Sequence, residues 1–120
     1  RALTAWHFGW EPARTASGTE WMAPFLAELL VDPYAAVRYI AHHSLMNSDG
    51  YEKLSYDYIG SLKERAATRR EALERWNLLA PTIDEEKTGP LLMSNEGVVL
   101  EPALRRMIGQ RDDRPMTLWE

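Results

Sequence analysis

His7, His42 and His43 are the side chains of this chain best suited to binding a metal or moving a proton near neutral pH. His42 and His43 are adjacent. On a helix one residue is about 100° of turn, so the two would not share a face. Their segment places no other His, Asp or Glu four residues from either. A metal would therefore need ligands from distant parts of the chain, and histidine on a surface or an interface is the simpler reading. His7 lies between Trp6 and Phe8 and reads as a packing or capping residue.

Asp32 and Arg38 form a second pair. Asp-Pro at 32–33 predicts a turn followed by a helix, with Asp32 capping that helix and Pro33 at its first position. Arg38 then reaches carbonyls or carboxylates of a neighbouring helix. No nucleophile or base accompanies the pair in a recognisable arrangement, so its chemistry is structural. Arg65, Arg69 and Arg70 could bind phosphate, but Glu64, Glu71 and Glu74 interleave with them, the pattern of a solvated helix face. Asp84-Glu85-Glu86 lacks the spaced oxygens and central glycine of a calcium loop. The turn around Gly97 has neither the glycine run nor the Lys-Ser/Thr of a phosphate loop.

Bulk properties narrow the classes further. The chain has 120 residues, 45% hydrophobic and 27% charged, which suits one domain with a proper core. Its net charge of −4 argues against a dedicated nucleic-acid surface. It has no Cys, hence no disulfide, thiolate metal site or cysteine nucleophile. No apolar run approaches the roughly 20 residues that span a bilayer. The first residue is Arg, which suggests a processed chain or a piece of a longer one. Five Trp are many for this length, and several are expected half-buried or at an interface.

The elements that must position these residues are mainly helical. Residues 1–9 carry Leu3, Trp6 and Phe8 and read as a helix, and residues 10–18, with Pro12, Ser17 and Gly18, as a linker. A helix is expected from Thr19 or Glu20, with Pro24 tolerated in its first turn. Trp21, Phe25, Leu29 and Met22, Leu26, Leu30 make one broad apolar face. The next helix buries Tyr34, Val37, Ile40, Ala41 and Leu45, and Asn47-Ser48-Asp49-Gly50 ends it. Residues 51–60 read as an extended strap. Ser61 and Glu64 form a capping box opening a helix to about Leu79, with Leu62, Ala66, Leu73, Trp76 and Ala80 inward. On its outer face Glu71 and Arg75 stand in the favourable order four apart. A small hairpin is expected over 91–100, then a short helix from Glu101 containing Leu104, Met107 and Ile108 and stopped by Gly109. The tail 110–120 reads as irregular.

The run from Trp21 to Leu45, with Asp-Pro in its turn and Val-Arg, Ala and Leu spaced along its second helix, resembles the helix pair of HEAT repeats. Residues 1–9 echo 38–45 at an offset of 37 residues, near the repeat length of such arrays. Taken with Trp6-His7-Phe8-Gly9-Trp10 and Arg111-Asp112-Asp113-Arg114-Pro115, the chain is similar to the C-terminal region of bacterial multihaem c-type cytochromes that carry HEAT-type repeats. The resemblance implies a periplasmic or exported electron-transfer protein whose helical end serves docking or assembly. Haem attaches in that family through Cys-x-x-Cys-His segments, which this chain lacks. No cofactor is therefore expected in this part, although a parent protein could hold haem and one of the His could be an axial ligand to it.

The expectation is a mainly α fold of HEAT-like antiparallel helix pairs. Residues 1–60 form the helix pair and strap, and 61–120 pack on it as a cap. The expected role is a non-catalytic scaffold that contacts proteins, either another domain of its own parent or other subunits, and not nucleic acid, with no membrane span. Trp6, Trp10, Tyr39, His42 and His43 are the candidate contact residues, and Asp32, Pro33, Arg38, Ser61 and Glu64 the structural ones. Two alternatives stand beside it. One is a nucleic-acid-binding helical module using Arg65, Arg69, Arg70, Arg105, Arg106 and Arg111. The other is a small metal-dependent domain using His42 or His43.

Overall fold

A computed structural model describes residues 1–19, 21–79, 98–110 and 113. The described residues form six α-helices: α1 (Ala2–Gly9), α2 (Glu11–Ser17), α3 (Met22–Leu29), α4 (Ala35–Met46), α5 (Leu62–Leu79) and α6 (Glu101–Gly109). The fold is mainly α. No strand is present among the described residues. The expected hairpin lies outside them except for its last three residues, and so do Ala80 and almost all of the tail.

Helix α3 is the centre of the packing. It lies against α1, α4 and α5, and six of its eight residues are buried. A helix covered on several sides can be apolar nearly all round, which explains its two adjacent apolar stripes. Leu26, Leu30 and Leu45 are fully enclosed. Burial of each such side chain stabilises the fold by roughly 1.5–3 kcal/mol. The same apolar cluster takes in Ala5 from α1, Tyr51 and Leu54 from the following segment, and Ala72 and Trp76 from α5.

The residues expected to be a linker are helical instead. In α2, Pro12 sits in the first turn, where its missing N–H costs nothing, and Ala13 and Arg14 donate their backbone N–H to the carbonyl of Trp10. Gly18, at φ 73°, ends the helix. Helix α3 begins at Met22, slightly later than the expected Thr19 or Glu20.

Helix α4 also starts later than Asp-Pro suggested. Its N-cap is Tyr34, in an extended conformation and without a side-chain cap, so Asp32 does not cap it and Pro33 is outside it. Asp32 Oδ1 instead accepts from the backbone N–H of Tyr34 at 2.9 Å, a local turn that competes with helix. Its Oδ2 lies 2.8 Å from Arg1 Nε, and the carboxylate is wholly buried. Arg38, 8% exposed, donates from Nη1 to the carbonyls of Asp32 at 2.7 Å and Pro33 at 2.8 Å, and from Nε to Tyr58 O at 2.7 Å. Burial, then the nearby Arg65 guanidinium, pushes its pKa down. Arg38 thereby ties the corner between α3 and α4 to the strap.

Residues 51–60 are held to three helices, through turns as well as extended backbone. Tyr51 Oη donates to Ala72 O of α5 at 3.0 Å, and Tyr56 Oη donates to Leu30 O at the end of α3. His42 on α4 meets Leu54 O at 2.9 Å.

The capping box forms as expected: Ser61 N–H donates to Glu64 Oε2 at 2.8 Å and Glu64 N–H to Ser61 Oγ at 3.3 Å. The inward face of α5 differs from expectation. Ala72 and Trp76 are buried and Leu73 half-buried, whereas Leu62 is 63% exposed and Ala66 is exposed. Arg69, expected outside, turns to α3 and donates twice to Glu28 Oε1, at 2.9 and 2.5 Å. The inward edge of α5 is thus partly polar, and an apolar stripe alone misplaces it.

Candidate functional site

Helices α1 and α4 approach closely because small residues stand at the contact. Ala5 and Ala41 are fully buried, and Gly9 faces Ser44. Ser44 Oγ donates to Ala5 O at 2.6 Å, and Asn47 Nδ2 to Gly9 O at 3.4 Å. Close backbones leave the larger side chains to splay outward on either side. Above Gly9 and Ser44 they enclose a groove of about 340 Å³.

One wall is Trp6 and Trp10, whose rings stack with centroids 5.7 Å apart at 18°. His7 stands edge-on to both and holds Leu3 O through Nδ1 at 2.8 Å. The other wall is Tyr39, Ile40 and His43. Tyr39 lies 4.5 Å from the His43 ring and 5.2 Å from the Tyr58 ring, centroid to centroid. Trp6, Tyr39 and Trp10 are 50%, 47% and 44% exposed, so each residue stays about half open to solvent. Polar groups occupy the end where Glu11 and Asn47 lie. Glu11 Oε2 is 3.3 Å from Arg14 Nη1, and Arg14 Nη2 donates to Asn47 O at 2.5 Å.

Of the five contact candidates, the structure gathers Trp6, Trp10, Tyr39 and His43 around this groove and turns His42 away from it. His42 is half-buried, shares its Nε2 with Leu54 O, and lies 5.2 Å from the Tyr56 ring. Glu11, Asn47 and the Gly9–Ser44 floor were not anticipated. The spacing Ala5-x-x-x-Gly9 is the signal that could have shown them, since small residues four apart allow a close helix crossing.

A second concavity, about 310 Å³, lies between α3, α5 and α6 and is lined by Glu28, Arg69, Glu101 and Arg105 with Leu104 and Ile108. Its charges pair among themselves, Arg69 with Glu28 and Arg105 with Glu101 at 2.8 Å. Among the described residues no group of three or more His, Asp or Glu is placed to hold a metal ion. No helix among them is long and apolar enough to cross a membrane. Comparison with protein-family models, with curated proteins and with solved structures gives no match.

Proposed function

We propose that this chain is a non-catalytic helical scaffold, part of a larger protein, that receives another protein segment in the groove between α1 and α4. The observation that carries the reading is the half-exposed aromatic set Trp6, Trp10 and Tyr39 held on both walls of one groove. Large rigid rings lose little conformational entropy on contact and dominate the energetics of protein interfaces. Ala5 of α1 and Ala41 and Leu45 of α4 anchor the two walls in the apolar cluster, which favours a preformed groove. The nucleic-acid alternative is disfavoured by net charge and by the commitment of Arg69 to Glu28 and of Arg105 to Glu101. That the larger protein is a multihaem c-type cytochrome, exported for electron transfer, rests on the sequence resemblance alone. With no Cys in the chain, haem would attach elsewhere.

The test places a photo-crosslinking amino acid at Tyr39 and, as a control, at Lys63, which is exposed on α5. The expected result is a recurrent adduct at position 39 that maps by mass spectrometry to one protein segment. It is absent at position 63 and lost in the double variant Trp6→Ala, Trp10→Ala. Adducts that are equal at both positions, or unaffected by the double variant, remove the groove as an interaction surface.

A further inference from the structure

We infer that the groove takes a cationic side chain, arginine or lysine, carried by the partner's segment. This rests on the protein-interaction reading above and names the chemistry of what binds.

Three features set the sign of charge that the groove favours. The first is the ring faces. Trp6, Trp10 and Tyr39 line the groove about half exposed, and aromatic ring faces are electrostatically negative and attract ammonium and guanidinium groups. The second is Glu11. Its side chain is 78% exposed at the rim, whereas that of its neighbour Arg14 is only 20% exposed. At 3.3 Å the Arg14–Glu11 contact is longer than a strong charge-assisted hydrogen bond, Arg14 Nη2 is already spent on Asn47 O, and the only other contact of the carboxylate among the described residues is a long one of 3.5 Å from the Thr15 hydroxyl to Oε1. The carboxylate therefore keeps capacity for a second cation on its solvent side. The third is the end of α4. Twelve residues of helix finish at Met46 beside the groove, with the negative pole of the dipole there. The chain itself already draws one guanidinium, that of Arg14, to this end.

The positive pole of α2 opens at the same rim, but that helix has only seven residues and Glu11 stands in its first turn. Glu11 thus decides the local sign. An anionic segment would meet the ring faces and Glu11 unfavourably. A purely apolar segment would fill the groove but strip water from Glu11 without replacing it. A guanidinium stacked on the rings within reach of Glu11 satisfies both, and the net charge of −4 favours its approach.

The test uses the full chain and the capped peptide Gly-Arg-Gly-Arg-Gly, with its citrulline counterpart as an uncharged isostere and hexaproline as an apolar competitor. The readout is the indole N–H resonances of Trp6 and Trp10, with that of the buried Trp76 as internal control. The arginine peptide is expected to shift Trp6 and Trp10 and leave Trp76 unmoved. Glu11→Gln, on an exposed side chain, should weaken binding about five-fold, and Tyr39→Ala about ten-fold, in the range of cation–π and exposed ion-pair energies. Circular dichroism would confirm that both variants remain folded. Equal shifts from arginine and citrulline peptides, shifts from hexaproline alone, or no shift at all overturn the inference. A crosslink at position 39 to a segment without Arg or Lys would also overturn it while leaving the interaction reading intact.

Discussion

Ser44 and Gly9 meet where α1 and α4 come closest. A Cβ built on Gly9 would stand 2.5 Å from Ser44 Oγ and 3.0 Å from its Cα, while that hydroxyl is held in place by donating to Ala5 O at 2.6 Å. Ser44 cannot rotate away without losing this bond, and its Cα cannot move without moving α4. This contact, with the buried Ala5 and Ala41, sets the floor of the groove and the spacing of its walls.

Gly9→Ala should therefore destabilise the protein. The exchange gains about 0.5–1 kcal/mol of helix propensity but forces a small-to-large clash costing typically 1–3 kcal/mol. A net loss of up to about 2.5 kcal/mol is expected, read as a lower midpoint in urea. Gly109→Ala is the matched control: at the end of α6 an added Cβ meets nothing within 4 Å, so stability should stay level or rise. Equal effects at the two glycines would refute the close-crossing account.

Arg38→Lys should cost about 1.5–3 kcal/mol in chemical denaturation. Arg38 spans carbonyls on both sides, Asp32 and Pro33 at the α3–α4 corner and Tyr58 on the strap. A compact ammonium cannot reproduce a planar fork. Arg70→Lys, on an exposed residue of α5, should lie within about 0.5 kcal/mol of the parent. If the two lysine variants are equally stable, Arg38 is not the tie between corner and strap.

What could be read from the sequence was mostly local. The Ser61–Glu64 box and the Glu71–Arg75 pair depend on residues three or four apart, and both form, whereas Gly109 is the last residue within α6 and Gln110, in right-handed conformation, caps it. Helix α2 was hidden because Pro12 and Ser17-Gly18 look like loop residues, although they also suit a short helix with Pro in its first turn and Gly after its end. The inward edge of α5 was misjudged because Arg69 reaches Glu28 from 41 residues away, a partner that periodicity cannot supply. The site was legible as aromatic residue types but not as a place. Trp6 and Tyr39 become neighbours only through the Gly9–Ser44 crossing, and His42 leaves the set because Leu54 O claims its Nε2.

The capping box makes stability depend on acid. The hydroxyl and then the backbone N–H of Ser61 hold the Glu64 carboxyl below its ordinary value of 4.5. With the folded pKa depressed, the contribution is present above pH 4.5 and is lost as pH falls through the folded value. Glu64→Gln should lower the thermal midpoint at pH 7, and the gap to the parent should close as the pH drops below 4.5. A gap that is constant from neutral to acid pH would show that the carboxylate charge contributes nothing.

The opposite end of the pH scale tests how the strap is fastened. Burial raises the Tyr51 hydroxyl from 10.0 to about 12, opposed by Arg75, and the hydroxyl donates to Ala72 O on α5. Ionisation would remove that donor and place a charge in the apolar cluster beside Trp76. A raised folded pKa means that the stabilising contribution is complete below pH 10 and is lost as the pH climbs from 10 toward 12. The parent should therefore become steadily easier to unfold in urea across that interval. Tyr51→Phe should cost about 1 kcal/mol at pH 7 through the lost hydrogen bond, yet show a visibly flatter decline above pH 10. Tyr56, also raised by burial, leaves some slope in the variant. If the two curves stay parallel up to pH 12, Tyr51 is not the group whose burial binds the strap to α5.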